Sequence, residues 1–370
     1  MADSGLVFLV RRDDLASTRI DSFDANAPLD AGELRCRIDH FAFTANNITY
    51  AVFGEAMHYW QFFPAPAGWG CVPVWGFATV QESRCDGLAV GERLYGYWPT
   101  ASHAVLRPGP VGAKGFSDAA AHRAGLPAVY NLYQRAAFAP GYAADREGAY
   151  AVLRPLFATA WLIDDFMTEA GDFGARRLLL SSASSKTAYA TAFCLQRGKQ
   201  RNARVVGATS PSRLEFCRSL GVYDEVIAYD DLAAQPADEP AVYIDFAGDA
   251  ALRRRVHEHW SDALRHSASI GGTHHGALGS GADLPGPRPL LFFAPAQMAK
   301  RAKPPPEGLG MAEVMRRMDI VWADFIARTS EGSAPWLRID RRQGFEAVRE
   351  AYLETLHGSG HASAGLLLSL

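Results

Sequence analysis

The stretch Arg177-Leu178-Leu179-Leu180-Ser181-Ser182-Ala183-Ser184-Ser185-Lys186-Thr187-Ala188 decides the fold. Its leucines are consecutive, as they must be in a strand covered on both faces. A serine-rich turn follows, and helical spacing then runs from Lys186 to Arg197. The same alternation continues downstream. Ala203 to Thr209 reads as a strand and Ser212 to Leu220 as a helix. Glu225 to Ala228 and Ala241 to Ala247 read as strands, Ala250 to Leu264 as a helix, and His266 to Gly271 and Leu290 to Ala294 as strands. Such alternation predicts right-handed crossovers and a parallel sheet with helices on both faces.

Upstream the texture changes. Leu6 to Val10, Leu34 to Thr44, Val72 to Gln81, Leu94 to Trp98 and His103 to Leu106 read as strands between Gly- and Pro-rich stretches. Irregular strands at this spacing predict a partly open β-barrel. Helical spacing from Pro155 to Glu169 marks the transition. Pro304-Pro305-Pro306 and Gly308 to Gly310 end the alternating part, and the tail returns as a helix (Phe345 to Leu356) and a strand (Gly365 to Leu370). The expected layout is a barrel-like domain over 1–152, a doubly wound domain over 153–300 and a returning segment over 301–370.

Composition narrows the function. The 370 residues are 48% apolar and 21% charged, which excludes a mainly disordered chain. With 37 basic against 40 acidic residues there is no basic excess to grip nucleic acid. No apolar run approaches the roughly 18–20 residues that span a bilayer, and Leu6 to Val10 runs straight into Arg11-Arg12-Asp13-Asp14, unlike a signal peptide. Neither nucleic acid nor membrane is an expected partner. Five scattered cysteines without a C-x-x-C pair argue against a disulfide framework or structural zinc and fit a reducing cytoplasm. Without a G-x-S-x-G elbow, a hydrolase reading lacks its nucleophile.

Five segments in order, Phe41 to Asn47, Val72 to Ala78, Val90 to Gly96, Leu178 to Ala188 and Gly365 to Leu368, resemble the medium-chain dehydrogenase/reductase superfamily, particularly its zinc-free quinone-oxidoreductase and enoyl-reductase members. The wording of Ser181 to Ala188 and of Phe292-Phe293-Ala294-Pro295-Ala296-Gln297 resembles a divergent branch described as a domain of unknown function. The resemblance implies an α/β chain: a GroES-like partly open β-barrel plus a Rossmann doubly wound parallel sheet. Zinc-containing relatives carry His-Glu where this chain has Phe77-Ala78. His274-His275, adjacent on a strand, would face opposite ways and could not easily chelate one ion. No metal is expected.

A dinucleotide turn normally uses glycines for the tight turn, the approach to pyrophosphate and helix packing. Those places hold Ser182, Ser185 and Ala188. In compensation, Ser182, Ser184, Ser185, Lys186 and Thr187 offer hydroxyls, an ammonium and the amides of a helix N-terminus, all suited to an anion. The alternative is a loop that has lost its nucleotide. An NAD site usually ends its second strand in a carboxylate, whereas Gly207-Ala208-Thr209-Ser210-Pro211-Ser212-Arg213 reaches none before Glu215. Ser210 and Arg213 can donate to a 2′-phosphate, and the resemblance adds a later tyrosine, Tyr229. NADP(H) is the expected cofactor, unless Arg213 is only a solvated helix residue.

The resemblance also implies a cleft-facing asparagine at Asn46 or Asn47 and a proton-donating tyrosine near His58-Tyr59. Tyr59 is the expected donor, with Tyr50 as substitute and Asn47 as orienter, although aromatic residues here could equally be packing. A polar segment, Ala121 to Arg135, brings His122, Tyr130 and Asn131 around a proline turn. These could bind substrate, act as acid and base, or form a structural hydrogen-bond network. If the dense aromatics from Tyr59 to Trp98 line a cleft, the small-molecule substrate is apolar or aromatic. The expected function is an NADP(H)-dependent, zinc-independent reductase of an enone, quinone or other activated double bond or carbonyl. Rivals are a lyase or isomerase using His122 and Tyr130, and a catalytically inactive nucleotide sensor. By analogy with the superfamily, a homodimer is expected through the sheet edge near Leu290 to Ala294.

Overall fold

The structure, a computed structural model, describes residues 4–197, 201–270, 283–330, 335–358 and 363–370. The chain divides into two compact units: Met1–Val152 with Leu337–Leu370, and Leu153–Trp336.

The first unit opens with β1 (Ser4–Arg11), β2 (Thr18–Asp24), β3 (Leu34–Phe43), α1 (Ala45–Val52) and β4 (Trp69–Gly70). It continues through β5 (Pro73–Ser83), β6 (Arg93–Pro99), β7 (His103–Leu106), β8 (Gly115–Ser117) and β9 (Leu132–Arg135). β1 lies between β2 and β4 in a small sheet, while β3, β5, β6, β9 and β8 follow one another, antiparallel, in a larger one. β2 escaped the sequence reading because Thr18 to Asp24 is largely exposed and lacks apolar alternation. The register sets Trp75 of β5 opposite Ala42, at the end of β3 where α1 begins. Gly76 is obligatory there, since a Cβ would stand 2.2 Å from the His40 carbonyl. Phe8, Phe41, Val74 and Trp98 fill the core.

α2 (Glu147–Glu169) contains the boundary between the units and runs through Pro155, starting earlier than the sequence spacing predicted. The second unit then alternates as expected: β10 (Arg177–Leu180), α3 (Lys186–Arg197), β11 (Arg204–Thr209), α4 (Leu214–Ser219), β12 (Glu225–Ala228), β13 (Ala241–Asp245), α5 (Ala250–Trp260) and β14 (Leu264–Ser269). The sheet is wholly parallel, ordered β12-β11-β10-β13-β14-β15, where β15 is only Leu290–Leu291. This is the doubly wound arrangement, whose order reverses beside β10. The carboxyl ends of β10, β11 and β13 therefore present Ser181, Ser210 and Phe246 along one sheet edge.

Three expectations need correction here. The helix from Ala250 stops at Trp260, and Leu264 already belongs to β14. The strand expected over Leu290 to Ala294 ends at Leu291, because Pro295 opens α6 (Ala294–Arg301) in its first turn. Gly271, His274 and His275 lie outside the described residues. Next, α7 (Met311–Ser330) buries Val314, Met318, Trp322 and Phe325. Phe157 meets Trp322 and Phe325 at 5.2 and 5.0 Å, and Phe193 meets Phe325 at 5.2 Å. Residues 301–336, read from sequence as part of the return, thus pack with the second unit.

The tail completes the first unit with β16 (Arg338–Gln343), α8 (Phe345–Leu356) and β17 (Ala364–Ser369). β17 lies between β3, antiparallel, and β16, parallel. β16 is a charged edge strand, which hid it from hydrophobic patterning. Among the described residues, no helix is long and apolar enough to cross a membrane.

Candidate functional site

In the second unit the chemistry-bearing residues gather where β10 becomes α3. Ser181 is wholly buried, and its Oγ donates to Asp245 Oδ1 at 2.9 Å. The same Oγ accepts the amides of Phe246 and Ala247, both at 3.0 Å. Asp245 Oδ1 also receives Tyr243 Oη and the Gly248 amide at 3.0 Å, while Oδ2 takes Arg253 Nε and Nη2 at 3.0 and 2.9 Å. Sequence reasoning passed over Ser181 and Asp245 as site residues. The available signal was a carboxylate ending a strand next to the point where strand order reverses.

The serines of the loop take different roles. Ser182 sits at φ 50°, the left-handed region that favours glycine, and its amide donates to Tyr229 Oη at 3.0 Å. Tyr229, expected at a 2′-phosphate, therefore has its hydroxyl on the loop, and burial pushes its pKa up to about 12. Ala183 is pinned by its amide to Ala208 O at 3.0 Å and by Tyr223 Oη to its carbonyl at 2.8 Å. A Cβ on Gly207 would come within 2.9 Å of Ala183 Cβ, so the close approach is secured by a glycine on the neighbouring strand. Ser185 Oγ receives the Ala188 amide at 3.4 Å, a long cap of α3. Ser184 and Thr187 are half-buried, and the Thr187 carbonyl accepts Thr191 Oγ1 at 2.8 Å.

Lys186, half-buried, is the first residue of α3. Burial, reinforced by the Arg213 guanidinium, lowers its pKa to about 8. Arg213 is itself half-buried, in the short turn Pro211–Arg213 after β11. Ser210 at the head of that turn has its Oγ 3.3 Å from Ser212 Oγ. Arg213 thus acts on Lys186 beside a helix N-terminus, with no carboxylate at the end of β11.

In the first unit, α1 separates the two asparagines. Asn47 is buried and fully employed: Nδ2 donates to Pro73 O at 2.8 Å, and Oδ1 receives the Thr44 amide at 2.8 Å in a capping box. The expected orienter is therefore a helix cap. Asn46 instead donates through Nδ2 to Tyr50 Oη at 2.7 Å, one helical turn away, and Trp75 Nε1 donates to the same hydroxyl at 3.3 Å. Tyr59 follows His58, which has φ 60°, and its Oη lies 3.2 Å from Tyr130 Oη. The Tyr50 and Tyr59 rings are 4.7 Å apart. Burial raises the pKa of Tyr50, Tyr59 and Tyr130, so all three stay protonated at neutral pH.

His122 does not join them. It is exposed, with Nε2 3.3 Å from the Phe62 carbonyl. From the same segment Arg123 turns inward, paired with Asp118 at 3.1 Å and lying 4.7 Å from the Phe63 ring centre. The pairing of His122 with Tyr130 expected by the lyase reading is not formed. Phe77, at the position where relatives carry a zinc ligand, is wholly buried between Tyr95 and Tyr150. Among the described residues no three His, Cys, Asp or Glu side chains gather as a metal-binding group.

Several solved structures share this architecture. CurA from Vibrio vulnificus, in complex with NADPH, aligns with TM-score 0.58 and 14% identity over 98% of each chain. The yhdH oxidoreductase from Salmonella enterica, in complex with NADP, aligns with TM-score 0.52 and 13% identity over 99% of each. A mutant enoyl thioester reductase from Candida tropicalis gives TM-score 0.58 and 11% identity, covering 99% of this chain and 100% of that one. At such identities the likeness fixes the fold: a GroES-like barrel and a Rossmann sheet, as in the medium-chain dehydrogenase/reductases. No curated protein sequence matches the chain. A family model described as "Protein of unknown function (DUF2855)" matches residues 41–361, and the chain belongs to that family.

Proposed function

We propose that the chain is an NADP(H)-dependent, zinc-independent oxidoreductase that acts in the cytoplasm on an enone, a quinone or another small activated double bond or carbonyl. The observation that carries this reading is the placement of Lys186 in the first turn of α3, right after the left-handed Ser182 loop, with Arg213 in the turn that follows β11. A cation in the first turn opposes the helix dipole, and two like charges repel. A phosphate bound at this helix N-terminus would be attracted by both cations and by the α3 amides. Ser210 and Arg213 suit a 2′-phosphate, while a carboxylate that would select NAD is absent from the end of β11. The left-handed Ser182 and the amides of α3 suit a pyrophosphate.

When bound, NADP(H) supplies the hydride. This chain's own residues do the rest. Lys186, Ser210 and Arg213 hold phosphate, the Ser181–Asp245 bond keeps the loop in shape, and the Tyr50, Tyr59 and Tyr130 hydroxyls donate to an acceptor oxygen. Phe77-Ala78 in place of His-Glu supports metal-free polarisation of the substrate. NADPH and NADP in the CurA and yhdH complexes support the cofactor. Exposed Leu290 and Leu291 on the last strand of the parallel sheet support a homodimer through that edge.

The test is NADPH consumption with a panel of quinones, enones and simple aldehydes. Turnover with a quinone or enone is expected. Binding of neither nucleotide and turnover of no acceptor would remove the reading.

A further inference from the structure

The turn after β10 is held at successive amides, each by a different neighbour. Ser181 donates its amide to Ile244 O on β13 at 3.1 Å, and Ala183 donates to Ala208 O on β11 at 3.0 Å. Ser185 closes the turn, its amide reaching Ser182 O at 2.7 Å. All of these acceptors are main-chain carbonyls, which any sequence would supply. Ser182 differs. Its amide goes to a side chain, the Tyr229 hydroxyl, at 3.0 Å.

Ser182 is also the strained member of the turn. At φ 50° it occupies the left-handed region, which is costly for a residue with a Cβ and open to glycine. Left alone, the serine would drift toward an ordinary conformation and carry its carbonyl, the acceptor of the Ser185 amide, with it. Ser185 in turn precedes α3, and its Oγ and carbonyl receive the amides of Ala188 and Tyr189 at 3.4 and 3.0 Å. A change at Ser182 therefore reaches the first turn of α3, where Lys186 sits.

Tyr229 is placed to resist that drift. It follows β12 directly, and it packs half-buried against the core that contains Leu179, Ala208 and Ile227. Arg255 of α5 anchors its carbonyl through Nη2 at 2.8 Å. A tyrosine has few side-chain torsions, so packing of the ring fixes where its hydroxyl lies.

We infer that Tyr229 is a positioning residue for the dinucleotide: its hydroxyl holds Ser182 in the turn that a glycine would adopt unaided, and so keeps the first turn of α3 shaped for a pyrophosphate. The hydroxyl acts through the loop and not on the 2′-phosphate, so it serves NADPH and NADH alike. That the loop receives a nucleotide rests on the proposed function; that Tyr229 holds the loop does not.

The test compares wild type, Tyr229→Phe and the double variant Tyr229→Phe/Ser182→Gly, each as the full chain. Phenylalanine keeps the ring in the core and removes only the hydroxyl. Hydrogen exchange at the Ala183 and Ser185 amides is followed first, without ligand. Tyr229→Phe should speed it about tenfold, the order expected when one hydrogen bond no longer holds the turn. The added glycine should bring the rate back toward wild type. Fluorescence titration follows. NADPH and NADH affinities should both fall about three- to tenfold in Tyr229→Phe, because a smaller fraction of the chain holds the binding-competent loop. Both should recover in the double variant, a rescue that a tyrosine serving only the core would not show. The inference is overturned if loop exchange is the same in wild type and Tyr229→Phe, if affinity falls for NADPH alone or for neither nucleotide, or if the glycine rescues nothing. A wild type that binds neither nucleotide, beside the expected exchange rates, would remove the proposed function and leave Tyr229 as the clamp of the loop.

Discussion

Ser181 Oγ donates to Asp245 Oδ1 across 2.9 Å, and this bond ties the residue that opens the loop to the strand beside it. Asp245 is also the charge partner of buried Arg253. Asp245→Asn should therefore cost roughly 3–5 kcal/mol of stability, because a buried charge loses its counter-ion. Ser181→Ala removes one donor and two acceptances and should cost about 1–3 kcal/mol. Urea denaturation of both variants checks the ranking, and an Asp245→Asn loss below that of Ser181→Ala would refute it.

Ser182 holds a conformation that favours glycine. Ser182→Gly should relieve that strain and stabilise the chain by about 0.5–1 kcal/mol, with NADPH affinity kept. A loss of stability in thermal melts would show that the serine side chain contributes a contact worth more than the strain.

Lys186 titrates near neutrality, with a pKa lowered to about 8 by burial and by Arg213. Below that pH it is cationic and, on the proposed reading, would hold phosphate; above it the charge is lost. NADPH affinity should therefore fall as pH rises through about 8, and binding at that pH should be accompanied by proton uptake. In the ligand-free protein the sign is opposite. The unfolded chain, with the higher Lys pKa, binds more protons between about 8 and the ordinary lysine value of 10.5, so this group makes stability rise with pH across that window. Lys186→Met should flatten the Kd–pH profile; an unchanged slope would assign the titration elsewhere.

How much of this was legible in sequence depends on the kind of signal. The consecutive leucines Leu178 to Leu180 and the alternation after them revealed the parallel sheet, because burial on both faces leaves a mark on composition. β2 and β16 left none, being short polar strands near sheet edges. Lys186 and Arg213 were visible as cations flanking a strand–turn–helix, yet their mutual influence is a matter of geometry. The two adjacent asparagines show the limit most clearly. Sequence could not tell which would cap the helix and which would reach Tyr50, since one residue of offset on α1 rotates the side chain by about 100°.

Glu147 carries a second pH signature. The Arg93 guanidinium forms a bidentate pair with it, and His40 Nε2 and Tyr142 Oη approach at 3.1 and 2.8 Å. Despite burial, these partners lower its pKa to about 2. The depressed folded-state value means that its contribution is fully present above the ordinary glutamate pKa and fades as pH falls toward 2. Glu147→Gln should cost roughly 2–4 kcal/mol at neutral pH and much less in acid. Denaturation series at neutral and acid pH check this, and equal losses at both would contradict it.

The claim on which the functional account depends is that Lys186 and Arg213 grip a nucleotide phosphate. Fluorescence titration of wild type and Arg213→Ala with NADPH and NADH tests it most directly. The account predicts that wild type prefers NADPH, and that Arg213→Ala loses about tenfold or more in NADPH affinity, the order expected for one charge-assisted contact, while NADH affinity scarcely changes. Equal losses for both nucleotides, or no binding of either by wild type, would contradict it.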